Sequence, residues 1–452
     1  MSLQINDNVI EGNPTKTFFI EMITRDISIR DAILDLLDNS IDGASRITPG
    51  DYKDLFIEIT INKDLFMVKD NCGGFSLDVA RKYAFRFGRP DEAPETFGSV
   101  GRFGIGMKRA LFKIGKAFEV ESKHTNDHFQ VFVDVDSWRS KKKTITIGDQ
   151  ASEVEDWDFS YENITPETSN LTENGTFIEV SKLYKEVSEL FDDDEFLTDL
   201  RDDIERLLNF SLEKGIKISL NGETLSGKNI QIFNDKSNPF IVEGVKDNVS
   251  YKVVAGLGEV GDPKKSGWYI YCNDRLVLEA DTSEITGWGT SGIPKWHVDY
   301  VMFRGIVFLD SDETINLPLA TTKKGIDATS DIYKFVLVFM KDALLNIIPF
   351  FKLVTKLGNE ANQYRVLLGE TETKISVVEM KNPQPVYVPR KFTAPAVDQD
   401  KIATKKDSVR ISYDAKKDLA NIARTHSRSK SLKELGETTF EYYLKMEGLE
   451  DE

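Results

Sequence analysis

The chain has 452 residues, with 75 Asp and Glu against 58 Lys and Arg and a net charge of −17. Such an acidic balance excludes a broad nucleic-acid-binding surface, because backbone binding is driven by counterion release to clustered Lys and Arg, and it leaves only a local patch for such a partner. Two cysteines, Cys72 and Cys272, exclude a disulfide framework, and the length suffices for two or three domains with their own cores.

The N-terminal stretch MSLQINDNVIEGNPTK carries no apolar signal segment, so a cytoplasmic protein is expected. In IRDAILDLLDNSIDGAS, the apolar Ile33, Leu36, Leu37, Ile41 and Ala44 recur at helical spacing and predict a helix. Residues four apart share a helix face, so Asp35 and Asn39 aim a carboxylate and an amide oxygen at one point. A hard divalent cation takes oxygen ligands, and a nearby carboxylate can orient an attacking water. Asp31, Asp38 and Asp42 extend the polar side, so a merely solvated acidic face is the competing reading.

The alternating run LFIEITINKDLFMVKDN predicts a β-hairpin turning through Asn62, Lys63 and Asp64, which delivers Asp70 to a strand end. Gly73 and Gly74 follow, leaving room for a flat ring to approach the backbone beside a carboxylate acceptor. FGSVGRFGIGMKRALFKIG runs from glycine-rich chain into a helix expected to begin near Met107. Free amides at that N-terminus, with Lys108 as a point charge, suit phosphate. No Gly-Lys-Ser/Thr follows, so this is no P-loop. Asn174-Gly175-Thr176 precedes the strand FIEV and read alone is an ordinary turn.

In that order, Asp35-x-x-x-Asn39, Asp70-x-x-x-Gly74, Gly101-x-x-Gly104-x-Gly106-x-Lys108 and Asn174-Gly175-Thr176 resemble the GHKL ATPases, the superfamily of gyrase, the large heat-shock chaperone, histidine kinases, MutL and the MORC proteins. The resemblance covers roughly residues 15 to 190. It implies an α+β fold whose first domain is a Bergerat-type α/β sandwich, with ATP and Mg²⁺ as cofactors. It further implies that Asn39 holds the metal, Asp35 is the general base, Asp70 and Thr176 read adenine beside Gly74, and Gly98 through Lys108, with Gly101, Gly104 and Gly106, form the ATP lid. Two departures stand out. The base is usually Glu, so Asp35 is one methylene short and implies slow turnover; Cys72 stands where Gly is common and crowds the adenine edge.

From about Lys214 to Asp327 the chain is strand-like, and YxNxRLV (Tyr271, Asn273, Arg275) with INLPLATTKKGID resembles the smaller α/β transducer domain of gyrase, MutL and MORC proteins. That resemblance makes Tyr271 to Val277 a central strand, Asn273 and Arg275 structural, and Lys323 the loop lysine that reaches the γ-phosphate, with Lys324 as the alternative. The expected organisation is an ATPase domain at 1–190, a helical connector at 191–213, the transducer at 214–328 and a long helical segment at 329–377. A proline-containing linker at 378–407 and a C-terminal module at 408–452 complete it. The acidic run Asp192 to Glu195 reads as a solvated connector. YKFVLVFMKDALLNIIPFF is cut by Lys341 and Asp342, so it predicts an amphipathic helix rather than a membrane span. Past the linker, one alternating strand and two helices, the second capped by Ser431 with Glu434 three residues on, resemble a ribbon-helix-helix module. Its outward strand residues are Ser408, Arg410 and Ser412.

His124, His128, His297 and His426 form no metal spacing. The resemblances point to an ATP-dependent homodimeric clamp, closest to MORC-like and MutL-like proteins and acting on DNA or a protein client. The N-terminal segment 1–20 crosses to the second subunit in that reading. The alternative is an ATP sensor with little hydrolysis. A histidine kinase is disfavoured, because no histidine lies on a helix upstream of Asp35.

Overall fold

The computed structural model describes residues 14–88, 105–147, 150–228, 230–319, 325–381, 391–397 and 414–447. The chain divides into two compact units, residues 1–397 and 398–452.

In the first unit, α1 (Lys16–Arg25) starts at Thr15, whose side chain accepts from the Phe18 amide, and α2 (Ile29–Ile47) starts at Ser28, which accepts from the Asp31 amide. Both caps satisfy first-turn donors that have no partner within the helix. The expected hairpin forms as β1 (Phe56–Asn62) and β2 (Leu65–Asp70), and its turn is fixed by the Asn62 side chain accepting from the amides of Asp64 and Leu65. A short turn α3 (Leu77–Val79) runs into one π-helical turn at Ala80–Ala84. After it come α4 (Gly106–Ile114), β3 (Gly115–His124), β4 (Asp127–Asp134), α5 (Val135–Ser140), the paired strands β5 (Lys142–Ile147) and β6 (Gln150–Glu155), then β7 (Glu162–Asn163) and β8 (Gly175–Leu183).

Three helices follow: α6 (Lys185–Phe191), α7 (Asp194–Leu207) and α8 (Asn209–Glu213). The acidic run has a local task, since the Asp193 side chain accepts from the Glu195 amide at the start of α7, and Asp194 and Glu195 face the positive end of the helix dipole. Next, β9 (Lys217–Leu220) pairs parallel with β1, and β10 (Glu223–Thr224) pairs with β9. Both strands therefore belong to the first sheet, with order β10-β9-β1-β2-β8-β3-β4-β7. This differs from the expectation that the second sheet begins at Lys214.

The short β11 (Gln231–Phe233) precedes the second sheet, which consists of β12 (Phe240–Lys246), β13 (Val249–Leu257), β14 (Gly267–Cys272), β15 (Arg275–Asp281) and β16 (Phe303–Asp310) in the order β12-β13-β16-β14-β15. The expected single strand over Tyr271 to Val277 is instead a hairpin. Asn273 and Asp274 have φ of 46° and 65°, the left-handed pair that a two-residue turn needs, and β15 is an edge strand.

Helix α9 (Asp331–Thr355) packs on β13. It continues past Pro349, which has no amide to donate to the carbonyl of Leu345, on a turn where the Leu345 side chain is exposed. The expected long helical segment then breaks into α10 (Ala361–Thr371), β17 (Lys374–Ser376), which pairs with β11, and α11 (Val377–Lys381). A single hydrophobic cluster runs from Ile33, Leu37, Phe66 and Val180 through Leu200 and Ile218 to Tyr271, Ile306 and Phe308, so both sheets share one core. Among the described residues, no helix is long and apolar enough to cross a membrane.

In the second unit, helices span Lys417–His426 and Leu432–Met446. Ser431 caps the second, accepting from the Glu434 amide, while the Glu434 carboxylate accepts from the Lys430 amide. The strand expected there, with Ser408, Arg410 and Ser412, lies outside the described residues.

Candidate nucleotide site

Helix α2 presents Asp35 and Asn39 one turn apart, and the two differ sharply in environment. Asp35 is 4% exposed, and its Oδ2 accepts from Arg109 Nη2 of α4 at 2.6 Å. The first turn of α4 lies directly over this carboxylate, since a Cβ added to Gly106 would stand 3.3 Å from Asp35 Oδ2. Asn39 is exposed. Much of the remaining acidic side is not a solvated face: Asp38 and Asp42 are buried, and Asp38 faces Arg275 Nη1 at 3.3 Å, while Asp31 is partly exposed. Charges enter a core when they have partners, which a sequence pattern does not display.

Asp70 ends β2 at the floor of the site. Its Oδ1 accepts from the amides of Cys72 (2.8 Å) and Thr176 (3.2 Å), and its Oδ2 accepts from Ser40 Oγ of α2 at 2.7 Å. Burial pushes the Asp70 carboxyl up, against the pull of those three donors. An ionised carboxylate has about four lone-pair sites, so three donors among the described residues leave room for one more. Gly74 acts otherwise than expected. At φ 58°, a Cβ there would meet the carbonyls of Lys123 and Gly175 at 2.5 and 2.7 Å, so its missing side chain is occupied by backbone and the turn itself, not by space for a ring. Cys72 turns its thiol toward the β1 backbone. The thiol is buried with Sγ 3.9 Å from the Phe56 carbonyl, and burial pushes its pKa up.

Lys108 requires a correction as well. It is 2% exposed, and its Nζ donates to the carbonyl of Ala84 at 2.7 Å rather than standing at the helix end as an open charge. Burial pulls its pKa from 10.5 down to about 7. Between those two values the unfolded chain holds more protons than the folded one, so this residue's contribution to stability rises with pH across that window. Lys108→Met is expected to flatten the rise of melting temperature between about pH 7 and 9; parallel curves for variant and wild type would refute the buried-amine assignment. At the start of α4, the N-cap Ile105 gives no side-chain cap. Gly98, Gly101, Gly104 and Lys323 lie outside the described residues.

The sequence reading missed Arg109 and Ser40, which hold the two site carboxylates. Lys16 was missed too. Fully buried, it donates its Nζ to the carbonyls of Trp138 and Lys141 and lies 4.2 Å over the Trp138 ring, so Lys16 docks on its own chain; residues 1–13 of the segment expected to cross to a second subunit lie outside the described residues.

Two of the histidines bridge neighbouring elements. His124 Nδ1 meets the Gly73 carbonyl at 2.7 Å. Glu121 and Ser169 both approach His128 at the same Nε2, so this trio has no proton-relay geometry. Among the described residues, no cluster of His, Cys, Asp and Glu could hold a metal by itself.

No curated protein matches the chain. Residues 27–170 match the family model described as histidine kinase-, DNA gyrase B-, and HSP90-like ATPase, a span that holds Asp35, Asn39, Asp70, Gly74 and Lys108 and stops short of Thr176 and the second sheet. Helix α2, the β1–β2 hairpin and α4, gathered around two buried carboxylates, thus lie within a GHKL-type ATPase domain carried by this chain.

Proposed function

We propose that this protein is an Mg²⁺-dependent ATP-binding clamp with slow ATP hydrolysis, resembling MORC-like and MutL-like proteins and closing as a homodimer on DNA or a protein client. The observation that carries the reading is the meeting of three elements at one place: Asp35 and the exposed Asn39 on α2, the uncapped start of α4 over Asp35, and the Asp70 carboxylate with one acceptor site to spare. These residues fit the cofactor. The open Asn39 amide oxygen suits a hard cation that keeps most of its waters, and the α4 amides suit phosphate. Bound Mg²⁺ supplies neutralisation of phosphate charge. Asp70 accepts from an exocyclic amine with Thr176 beside it, and Asp35 accepts the proton of the attacking water at its carboxylate.

Lys323 is assigned to the γ-phosphate. In support, Gly325 just after it donates its amide to the Val277 carbonyl of β15 at 2.8 Å, the strand whose Arg275 reaches α2. The second unit contributes dimerisation or client docking: both of its helices expose apolar residues, among them Ile422, Tyr442 and Met446.

The Asp35–Arg109 pair favours a second reading, an ATP sensor with little turnover. A carboxylate already held by a guanidinium is a weaker proton acceptor. Steady-state phosphate release from Mg-ATP, wild type against Asp35→Asn, with and without duplex DNA, separates the two. A working base predicts a fall on the order of 100-fold or more in the variant. Wild-type release no higher than the variant's would leave the sensor, and stimulation by DNA would name the client.

A further inference from the structure

Arg275 opens β15 immediately after the tight Asn273–Asp274 turn, and it is only 5% exposed. Its guanidinium reaches out of its own sheet to α2. Nη1 lies 3.3 Å from Oδ1 of Asp38, itself 2% exposed, on the turn of α2 between Asp35 and Asn39. The hairpin that carries Arg275 is fastened on every other side. Asn273 exchanges hydrogen bonds with Ser311, its Nδ2 donating to the Ser311 carbonyl and its Oδ1 accepting from the Ser311 amide, both at 3.0 Å. Asp274 accepts from Lys214, just beyond α8, and from Lys381 of α11. Two residues past Arg275, the Val277 carbonyl accepts from the Gly325 amide.

We propose that the buried Asp38–Arg275 ion pair is the positioning contact that transmits nucleotide occupancy from α2 to the second sheet. The inference rests on the ATP-binding reading. A hairpin braced by Ser311, Lys214 and Lys381 cannot follow α2 through loose packing. A buried charge contact can carry the displacement, because a buried ion pair resists separation far more than an apolar contact of the same area. Asp35 lies under the first turn of α4 and Asn39 is exposed, while Asp38 on the intervening turn lies toward the second sheet, so on the ATP-binding reading one helix reads the ligand and reports it. Coupling of this kind is a free energy between two sites and is measured as one.

Removing one partner strands a buried charge, so the test uses Asp38→Asn/Arg275→Gln, which removes both, with Arg275→Lys as the conservative variant. Amide hydrogen exchange of the full chain is followed with and without Mg-ATP, after a melting curve shows each variant folded. In the wild type, Mg-ATP is expected to slow exchange in α2 and in the β14–β15 hairpin. In the double variant, protection of α2 stays within about twofold of wild type while the hairpin response falls at least about fivefold, and Arg275→Lys retains it. A double variant whose hairpin still responds in full overturns the proposal, as does a wild type whose α2 responds while the hairpin does not. A wild type with no Mg-ATP response in α2 removes the ATP-binding reading and this proposal together.

Discussion

Asn39→Ala is expected to weaken Mg-ATP binding by on the order of 100-fold or more, the loss that follows when a metal site forfeits a protein contact. The residue is exposed on α2, one turn after Asp35, so truncation leaves no cavity and strands no buried group. Stability should change by no more than about 0.5 kcal/mol, as for other surface substitutions. That separation gives the experiment its force. A variant that melts with the wild type and no longer binds Mg-ATP assigns the amide to the ligand. The same variant should bind ATP without metal about as poorly as the wild type does. Isothermal titration of wild type and variant, each with Mg²⁺ and with a chelator, measures all four states. Equal Mg-ATP affinity in the two proteins would remove the metal role from Asn39 and take the ATP assignment with it.

Much of the site was legible because helices and hairpins are written in local periodicities. Helix α2 shows in the spacing of Ile33, Leu36, Leu37 and Ala44, all of them buried, and the β1–β2 hairpin shows in alternation ended by an Asn-led turn. What stayed hidden was pairing across the chain. GIKISL reads correctly as a strand, but nothing in six residues says that β9 lies parallel to β1 in the first sheet. Asp38 looked like one more solvated acid because its partner Arg275 comes from a distant hairpin, and Asp35 gave no hint of Arg109.

Lys108 was legible after all. It stands three and four residues before Leu111 and Phe112, on the buried stripe of α4, and that periodicity outweighs the usual preference of lysine for water. The misread motif YxNxRLV teaches a related point. Asn273 and Asp274 are residues that tolerate left-handed backbone, and two of them between apolar runs mark a hairpin more strongly than a continuous strand.

Gly175→Ala is expected to be among the most damaging single substitutions in the domain, costing more than about 3 kcal/mol, the upper range for forcing atoms into a packed interior. Its backbone has no left-handed φ to relieve, so the demand for glycine is steric. A Cβ there would stand 1.9 Å from the carbonyl oxygen of Asp70, 2.9 Å from its carbonyl carbon and 3.0 Å from the Cα of Asn71. All three are backbone atoms, which cannot rotate aside as a side chain would. Nor can β8 shift, because it is paired on both sides: Thr176 lies opposite Asp70 of β2, and Gly175 lies opposite Lys123 of β3.

The strain would fall on the bond from the Thr176 amide to the Asp70 carboxylate and on the Gly74 turn, whose own missing Cβ would sit 2.7 Å from the Gly175 carbonyl. Stability and nucleotide affinity should therefore fail together in this variant, in contrast to Asn39→Ala, where affinity fails alone. Urea unfolding followed by circular dichroism, paired with titration of Mg-ATP, distinguishes them. A Gly175→Ala protein with the wild-type unfolding midpoint would mean that β2 and β8 are not closed against each other at Asp70, and the three-donor cradle of that carboxylate would fall with the strand contact that builds it.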